Sequence, residues 1–372
     1  MGTTARRILR LEQPFEMRRG GVLERVELAY ETWGQLNAAR DNGVLIFTGL
    51  SPTAHAASSP ADPTPGWWED MVGPGRPIDT RRFFVICVNS LGSHFGSTCP
   101  ASIDPATGAP YRLSFPVLTI EDIAHGGWEV TRSLGIERLA AVVGPSLGGM
   151  VVLGYAALYP RGTRSIVSIS AAACSPPFAI ALRSLQREMI RRDPEWQDGN
   201  YPPGGGPIMG MRLARKLGMI TYRSAKEWQL RFGRERVTQE RRPGGPFGID
   251  FEVESYLEAH AVKFTGQFDP NAYLYLSRAM DLFDLADHGD GSVRDALSRF
   301  EVESVLVVGV ETDLLFPIEQ QQELAAGLSN DGRTVQFARL PSLQGHDSFL
   351  VDMDRFRPVV SEFLATLQLA ES

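Results

Sequence analysis

Apolar residues along this chain recur with two different periods. Short runs rich in β-branched residues appear at Val22–Tyr30, Val44–Phe47, Phe83–Val88, Leu139–Val143, Ser165–Ile169, Val302–Val308 and Val335–Leu340. Most are apolar almost without interruption, as expected of strands covered on both faces rather than exposed on one. Between them, Thr119–Leu134, the stretch after Pro317 and Phe356–Leu367 carry helical spacing. The first of these opens with Thr119 three residues before Asp122, a capping-box arrangement. Strand and helix signals in alternation predict a mostly parallel sheet wrapped by helices, an α/β fold.

The alternation stops after Ser170. From Pro176 to Arg299 the spacing is helical, Arg, Met and aromatic residues are more frequent, and a Pro/Gly stretch lies at Pro202–Pro207. Strand signals resume at Val302, so the helical segment interrupts one sheet domain instead of following it. The expected division is therefore a core of residues 1–175 and 300–372 and a helical lid insertion of residues 176–299.

A length of 372 residues is compatible with this single interrupted domain, and 43% hydrophobic with 22% charged residues excludes a mainly disordered chain. The net charge of −7 is spread without a block of one sign, so neither nucleic acid nor an anionic membrane is an expected partner. Arg6, Arg7, Glu12 and Glu16 break any apolar run that could serve as a signal-peptide core. The longest uncharged run, Leu139–Leu158, has Gly144, Pro145, Gly148 and Gly149 in its middle and reads as strand, turn and helix rather than a membrane span. Cys87, Cys99 and Cys174 have no metal-ligand spacing, which fits a reducing cytoplasm better than a disulfide framework. No metal and no bound cofactor are expected.

The candidate chemistry begins at Gly144-Pro145-Ser146-Leu147-Gly148, a match to G-x-S-x-G. In that motif a serine sits on a cramped strand-to-helix turn and the glycines let neighbouring backbones pass closely. The context fits, because an apolar β-branched strand precedes Ser146 and a helical pattern, Met150–Tyr159, follows it. A serine hydroxyl needs a base to act as a nucleophile, and in this chain order an acid and a histidine follow the serine, each after a late strand. Asp313 and His346 occupy those places. His346 would take the Ser146 proton while Asp313 holds its tautomer. Of the other histidines, His125, His260 and His288 read as surface or packing residues, and His55 and His94 lie on loops at the sheet end where sites form. Two backbone donors are needed for the developing oxyanion: Leu147, following the nucleophile, and Leu50 or an adjacent residue in the loop Phe47-Thr48-Gly49-Leu50.

Taken together, these residues resemble the homoserine O-acetyltransferase-like acyltransferases of the α/β-hydrolase superfamily. The resemblance rests on Gly49–Ala56, on Val88-Asn89-Ser90-Leu91-Gly92 with Gly96-Ser97-Thr98, and on Gly148-Gly149-Met150. It continues through Asp193-Pro194-Glu195-Trp196 with Gly199-Asn200-Tyr201, Leu213-Ala214-Arg215-Lys216 with Thr221-Tyr222-Arg223-Ser224, and Gly345-His346-Asp347. It implies acyl transfer from an acyl-CoA to an amino-acid hydroxyl, and a homodimer through the lid helices. It also implies that Ser146, Asp313 and His346 form a triad, with Arg215 on the acceptor carboxylate and Asp347 on its ammonium.

The run Thr48-Gly49-Leu50-Ser51-Pro52-Thr53-Ala54-His55, with Pro145 and Leu147 at the nucleophile, looks most like the branch that acylates L-serine using succinyl-CoA, a step toward cysteine. Ser51, Pro52, Thr53 and Ala54 would then set acceptor specificity, since one methylene separates serine from homoserine and is worth about 1–3 kcal/mol. A succinyl donor ends in a carboxylate that needs a cation. Arg187 and Arg223 are the candidates, with Arg187 favoured for acyl-CoA specificity because Gln186–Asp193 leads into a motif of the family. Transfer to homoserine from acetyl- or succinyl-CoA, ester hydrolysis, and an inactive binding scaffold are the alternatives.

Overall fold

The computed structural model describes residues 5–238, 245–329 and 332–369. Its twelve described strands run in chain order from β1 (Arg7–Arg10), β2 (Phe15–Glu16), β3 (Val22–Leu23) and β4 (Glu27–Trp33) to β5 (Gly43–Phe47), β6 (Val72–Gly73), β7 (Ile78–Asp79) and β8 (Phe84–Val88). They continue with β9 (Leu139–Pro145), β10 (Thr163–Ile169), β11 (Ser304–Val310) and β12 (Thr334–Leu340). Eight of them form one sheet in the order β1-β4-β8-β5-β9-β10-β11-β12. From β8 to β12 every neighbouring pair is parallel, and only the β1–β4 and β4–β8 pairs are antiparallel. The short strands pair separately, β2 with β3 and β6 with β7.

The uninterrupted apolar runs became the strands at the middle of the sheet. β5 and β9 are buried along their whole length, with Val44, Leu45, Ile46, Val142 and Val143 fully enclosed. Each such side chain contributes about 1.5–3 kcal/mol of hydrophobic stabilisation. β12, at the sheet edge, is half-exposed along most of its length. Two features depart from the sequence reading: the charged stretch at the N-terminus contributes edge strand β1, and the run Val22–Tyr30 splits into β3 and β4 around the buried Val26.

Helices α1 (Ile120–Ser133) and α2 (Leu147–Leu158) follow β8 and β9. The expected capping box of α1 is present, with the Asp122 N–H donating to Thr119 Oγ1 at 3.2 Å and the Thr119 N–H to Asp122 Oδ2 at 2.8 Å. Between β10 and β11 the regular elements are helical: α3 (Pro177–Arg191), α4 (Ile208–Tyr222), α5 (Ala225–Phe232), α6 (Glu252–Phe264), α7 (Pro270–Leu282) and α8 (Val293–Ser298). α3 and α4 pack together, α6 lies on α4, and α8 returns to rest on α9 (Ile318–Leu328), which itself covers β11. The single turn α10 (Ser348–Val351) and α11 (Met353–Ala365) complete the chain. Among the described residues no helix is long and apolar enough to cross a membrane.

Candidate active site

Parallel strands deliver their C-terminal ends to one rim, and four loops meet there: Thr48–Pro52 after β5, Ser146 after β9, Asp313 after β11 and His346 after β12. Ser146 has φ 57° and ψ −122°, a strained conformation for a residue with a Cβ. The surrounding glycines explain how it is held. A Cβ on Gly144 would lie 2.3 Å from the Gly148 carbonyl oxygen, and one on Gly148 would lie 2.3 Å from that of Phe47. Strand β9, helix α2 and the end of β5 therefore approach as only hydrogen side chains permit.

The Ser146 hydroxyl donates to His346 Nε2 at 2.7 Å, and His346 Nδ1–H donates to Asp313 Oδ2 at 2.7 Å. The Nδ1 tautomer follows from Asp313 being an acceptor only. Its other oxygen accepts the N–H groups of Leu315 at 2.8 Å and Phe316 at 3.0 Å, which fixes the carboxylate in place. Burial by itself would lower the His346 pKa, but the charge and hydrogen bond of Asp313, with Asp347 beyond, outweigh it and hold the imidazole above its ordinary value. This arrangement can remove a proton from Ser146 and return it to a leaving group. Among the described residues, neither the Leu147 nor the Leu50 N–H donates to a protein acceptor, as an oxyanion site requires.

Ser146 opens into a cavity of about 130 Å³ walled by the β5 loop on one side and the inserted helices on the other. Gly49, Leu50, Ser51 and Pro52 line it. Thr53 and Ala54, grouped with them from the sequence, do not: the Thr53 carbonyl accepts the Trp67 indole N–H at 3.0 Å, and Ala54 is buried. Arg215 and Asp347 both face the cavity. The Arg215 guanidinium lies 4.5 Å from the Phe264 ring centre, and its Nε has no hydrogen-bond partner. Asp347 sits 3.2 Å from Arg223 Nε, while Arg223 also pairs with Glu227 at 2.9 Å. Burial raises the Asp347 pKa, with Arg223, His346 and Arg215 acting against it.

The expectation for Arg187 needs correction. It does not line the Ser146 cavity; its Nη1 donates to Ser277 Oγ at 3.0 Å and its Nη2 lies 2.7 Å from Asp281 Oδ2, beside a separate recess. Arg183, one turn earlier, lines the cavity instead, with Nε donating to Asp281 Oδ1 at 2.6 Å and Nη2 to Ser175 Oγ at 2.5 Å. The signal was available in the helical spacing, because Ala179, Arg183, Gln186 and Ile190 form the buried stripe of α3 and Arg187 falls outside it. Tyr222 and Tyr273 also line the cavity and were not singled out; the Tyr222 ring lies 5.9 Å from His346, and burial pushes both phenols up.

The remaining histidines lie outside the cavity. His55 bonds the Glu31 carboxylate at 2.9 Å and the Thr64 carbonyl at 2.8 Å. Two acceptor-only partners require both ring nitrogens to donate. Burial opposes that charge, but the bonds to Glu31 and Thr64 and the nearby Asp62 raise the His55 pKa. His94 lines a different recess and accepts the Asp269 N–H at 3.3 Å. His125 contacts Tyr159 Oη at 2.5 Å, the His260 ring lies tilted against Tyr256 at 4.3 Å and His288 contacts Glu121 at 3.1 Å. Among the described residues no group of three or more His, Cys, Asp or Glu side chains could hold a metal ion.

The chain is similar to known proteins over nearly its whole length. A family model described as the alpha/beta hydrolase fold matches residues 44–352. A serine O-succinyltransferase of Litchfieldella anticariensis is 58% identical over 361 residues, which cover 97% of this chain and 98% of that protein. An L-serine/homoserine O-acetyltransferase of Streptomyces lavendulae is 59% identical over 364 residues, 97% of each chain. Among solved structures, the homoserine O-acetyltransferase from Bacillus anthracis matches with a TM-score of 0.87 at 29% identity, covering 96% of this chain and 97% of that one. By motif, architecture and full-length similarity alike, the chain belongs to the α/β-hydrolase fold family, among its homoserine O-acetyltransferase-like acyltransferases.

Proposed function

We propose that this chain is a serine O-succinyltransferase, moving a succinyl group from succinyl-CoA to the hydroxyl of L-serine. The observation that carries this reading is the set of charges around the Ser146 cavity: Arg215 and Asp347 for a zwitterionic acceptor, and Arg183 for a donor that ends in a carboxylate. Full-length similarity to proteins named serine O-succinyltransferase supports the same donor and acceptor. Arg suits the acceptor carboxylate because its planar fork makes paired, charge-assisted hydrogen bonds.

The reaction runs in two halves. Ser146 Oγ attacks the thioester carbonyl as its proton passes to His346, the C–S bond breaks, and His346 gives the proton to the departing thiolate. The acceptor hydroxyl then enters, loses its proton to His346 and attacks the acyl-serine ester. The bond to Ser146 breaks and the proton returns to Ser146 Oγ. In each half the Leu147 and Leu50 N–H groups face the oxyanion. Ser51 and Pro52 border the acceptor and set its length.

We read residues 176–299 as a lid over this cavity. A homodimer through α3 and α4 fits their outer faces, where Leu185, Met209, Leu213 and Ile220 are exposed. A cytoplasmic location follows from the need for acyl-CoA. The L-serine/homoserine O-acetyltransferase of comparable identity favours one second reading, acetyl transfer to either acceptor.

Thiol release measured with L-serine and L-homoserine against succinyl-CoA and acetyl-CoA separates the two. Succinyl-CoA with L-serine should give the highest kcat/KM. A preference for acetyl-CoA would overturn the donor assignment, and release independent of any amino acid would indicate hydrolysis.

A further inference from the structure

Behind the Ser146 cavity, between α3 and α7, lies a second recess of about 510 Å³. Arg187, Arg191, Arg192 and Arg278 line it, against only two carboxylates, Glu188 and Asp281. That is an excess of two positive charges in a chain whose net charge is −7. Both carboxylates are used within it, on Arg192 and Arg187, which leaves Arg191 and Arg278. Glu188 pairs with Arg192 on the exposed helix face at 2.6 Å, and Asp281 is shared between Arg187 and the buried Arg183. Arg191 is held over the Trp196 ring at 5.6 Å. Among the described residues, neither Arg191 nor Arg278 forms an ion pair. Arg191, Arg192 and Arg278 are exposed, so an anion entering the recess from solvent would meet guanidinium groups carried by two helices.

We propose that this recess is a second binding site, for a phosphate-bearing anion. Phosphate fits better than a lone carboxylate because its several oxygens can accept from forks arriving from two helices at once. The volume lies in the range of small-molecule sites. The phosphates could come from the nucleotide of a CoA donor or from a free phosphorylated compound. Asp281 links the recess to the acyl pocket, since Arg183 Nε and Arg187 Nη2 lie at 2.6 Å and 2.7 Å from its two oxygens.

The test is calorimetric titration of the full-length protein at low ionic strength, once with inorganic phosphate and once with adenosine 3′,5′-bisphosphate. Wild-type protein should bind at least one probe, and the Arg191→Gln/Arg278→Gln double variant should bind it about tenfold or more weakly, a loss near 1.4 kcal/mol. Circular dichroism checks that the variant is folded, and Arg191→Lys/Arg278→Lys should recover part of the affinity by restoring charge. Absence of binding to both probes by the wild type, or equal binding by wild type and the Gln variant, would overturn the proposal.

The source is read from kinetics. A KM raised in the Gln variant for acyl-CoA but not for the matching acyl-pantetheine assigns the phosphates to the donor, and an unchanged KM assigns them to a free compound. The titration needs no turnover, so it stands or fails separately from the acyl-transfer reading.

Discussion

Ser146 and Arg183 face the same cavity but are held there by different means. Ser146 is placed by backbone: a fully buried strand, a helix that begins at the next residue, and glycines through which neighbouring carbonyls pass. Arg183 is placed by side chains, its guanidinium bonded to Asp281 on α7 and to Ser175 before α3. Backbone packing at Ser146 leaves little freedom to vary, whereas Arg183 depends on a buried ion pair that needs both of its partners. The candidate nucleophile is thus fixed by the path of the chain itself, and Arg183, proposed to meet the donor carboxylate, by contacts between two helices.

The largest effect should come from the rigid side. Ser146→Ala should lower kcat by about 10⁴-fold or more with the fold intact, and mass spectrometry should find the acyl adduct on Ser146 in the wild type. Retained turnover in the variant would break the assignment. Gly148→Ala forces a Cβ against the Phe47 carbonyl and should disturb the adjacent oxyanion donors. A kcat loss of about 10²-fold or more and a stability loss of about 1–3 kcal/mol are expected, the second read from the denaturant midpoint.

Effects on the side of the inserted helices should be smaller and selective. Arg215→Ala removes one charge-assisted contact of about 2 kcal/mol, which corresponds to roughly 30-fold in the second half-reaction. Burst kinetics should show acylation of Ser146 nearly unchanged, and equal damage to both halves would give Arg215 a structural role. Arg183→Ala should reduce the preference for succinyl-CoA over acetyl-CoA by about tenfold, and Arg187→Ala by less than about threefold. A reversed ranking would return the donor contact to Arg187.

The pH profile should show the smallest change. His346 acts as a base only when neutral, and its pKa lies above the ordinary 6.5. Acylation should therefore be weak at low pH and rise with pH through a midpoint above that value. Asp313→Asn removes the charge that raises the pKa, so the midpoint should move down as the rate falls. A midpoint that stays in place in this variant would separate His346 from Asp313.

The chain itself carried enough to identify the strand-turn-helix around Ser146 and the late-strand positions of Asp313 and His346, because each depends on local spacing: an uninterrupted apolar strand, a glycine-flanked serine, and polar residues directly after β11 and β12. The buried stripe containing Arg183 was equally present in the spacing of α3. Arginine is ordinarily an exposed residue, so residue type argues against that stripe where helical spacing argues for it.

Other features had no local signature. That Ser51 and Pro52 border the cavity while Thr53 and Ala54 do not goes with the Trp67 indole reaching back to the Thr53 carbonyl. That Asp281 joins Arg183 to Arg187 depends on the packing of α7 against α3, which are separated by most of the insertion. Sequence alone thus determined the elements and the order of the candidate catalytic groups, since hydrophobic period and turn chemistry act between near neighbours. Only the tertiary structure decided what holds Arg183 at the cavity, because its carboxylate partner lies nearly a hundred residues away.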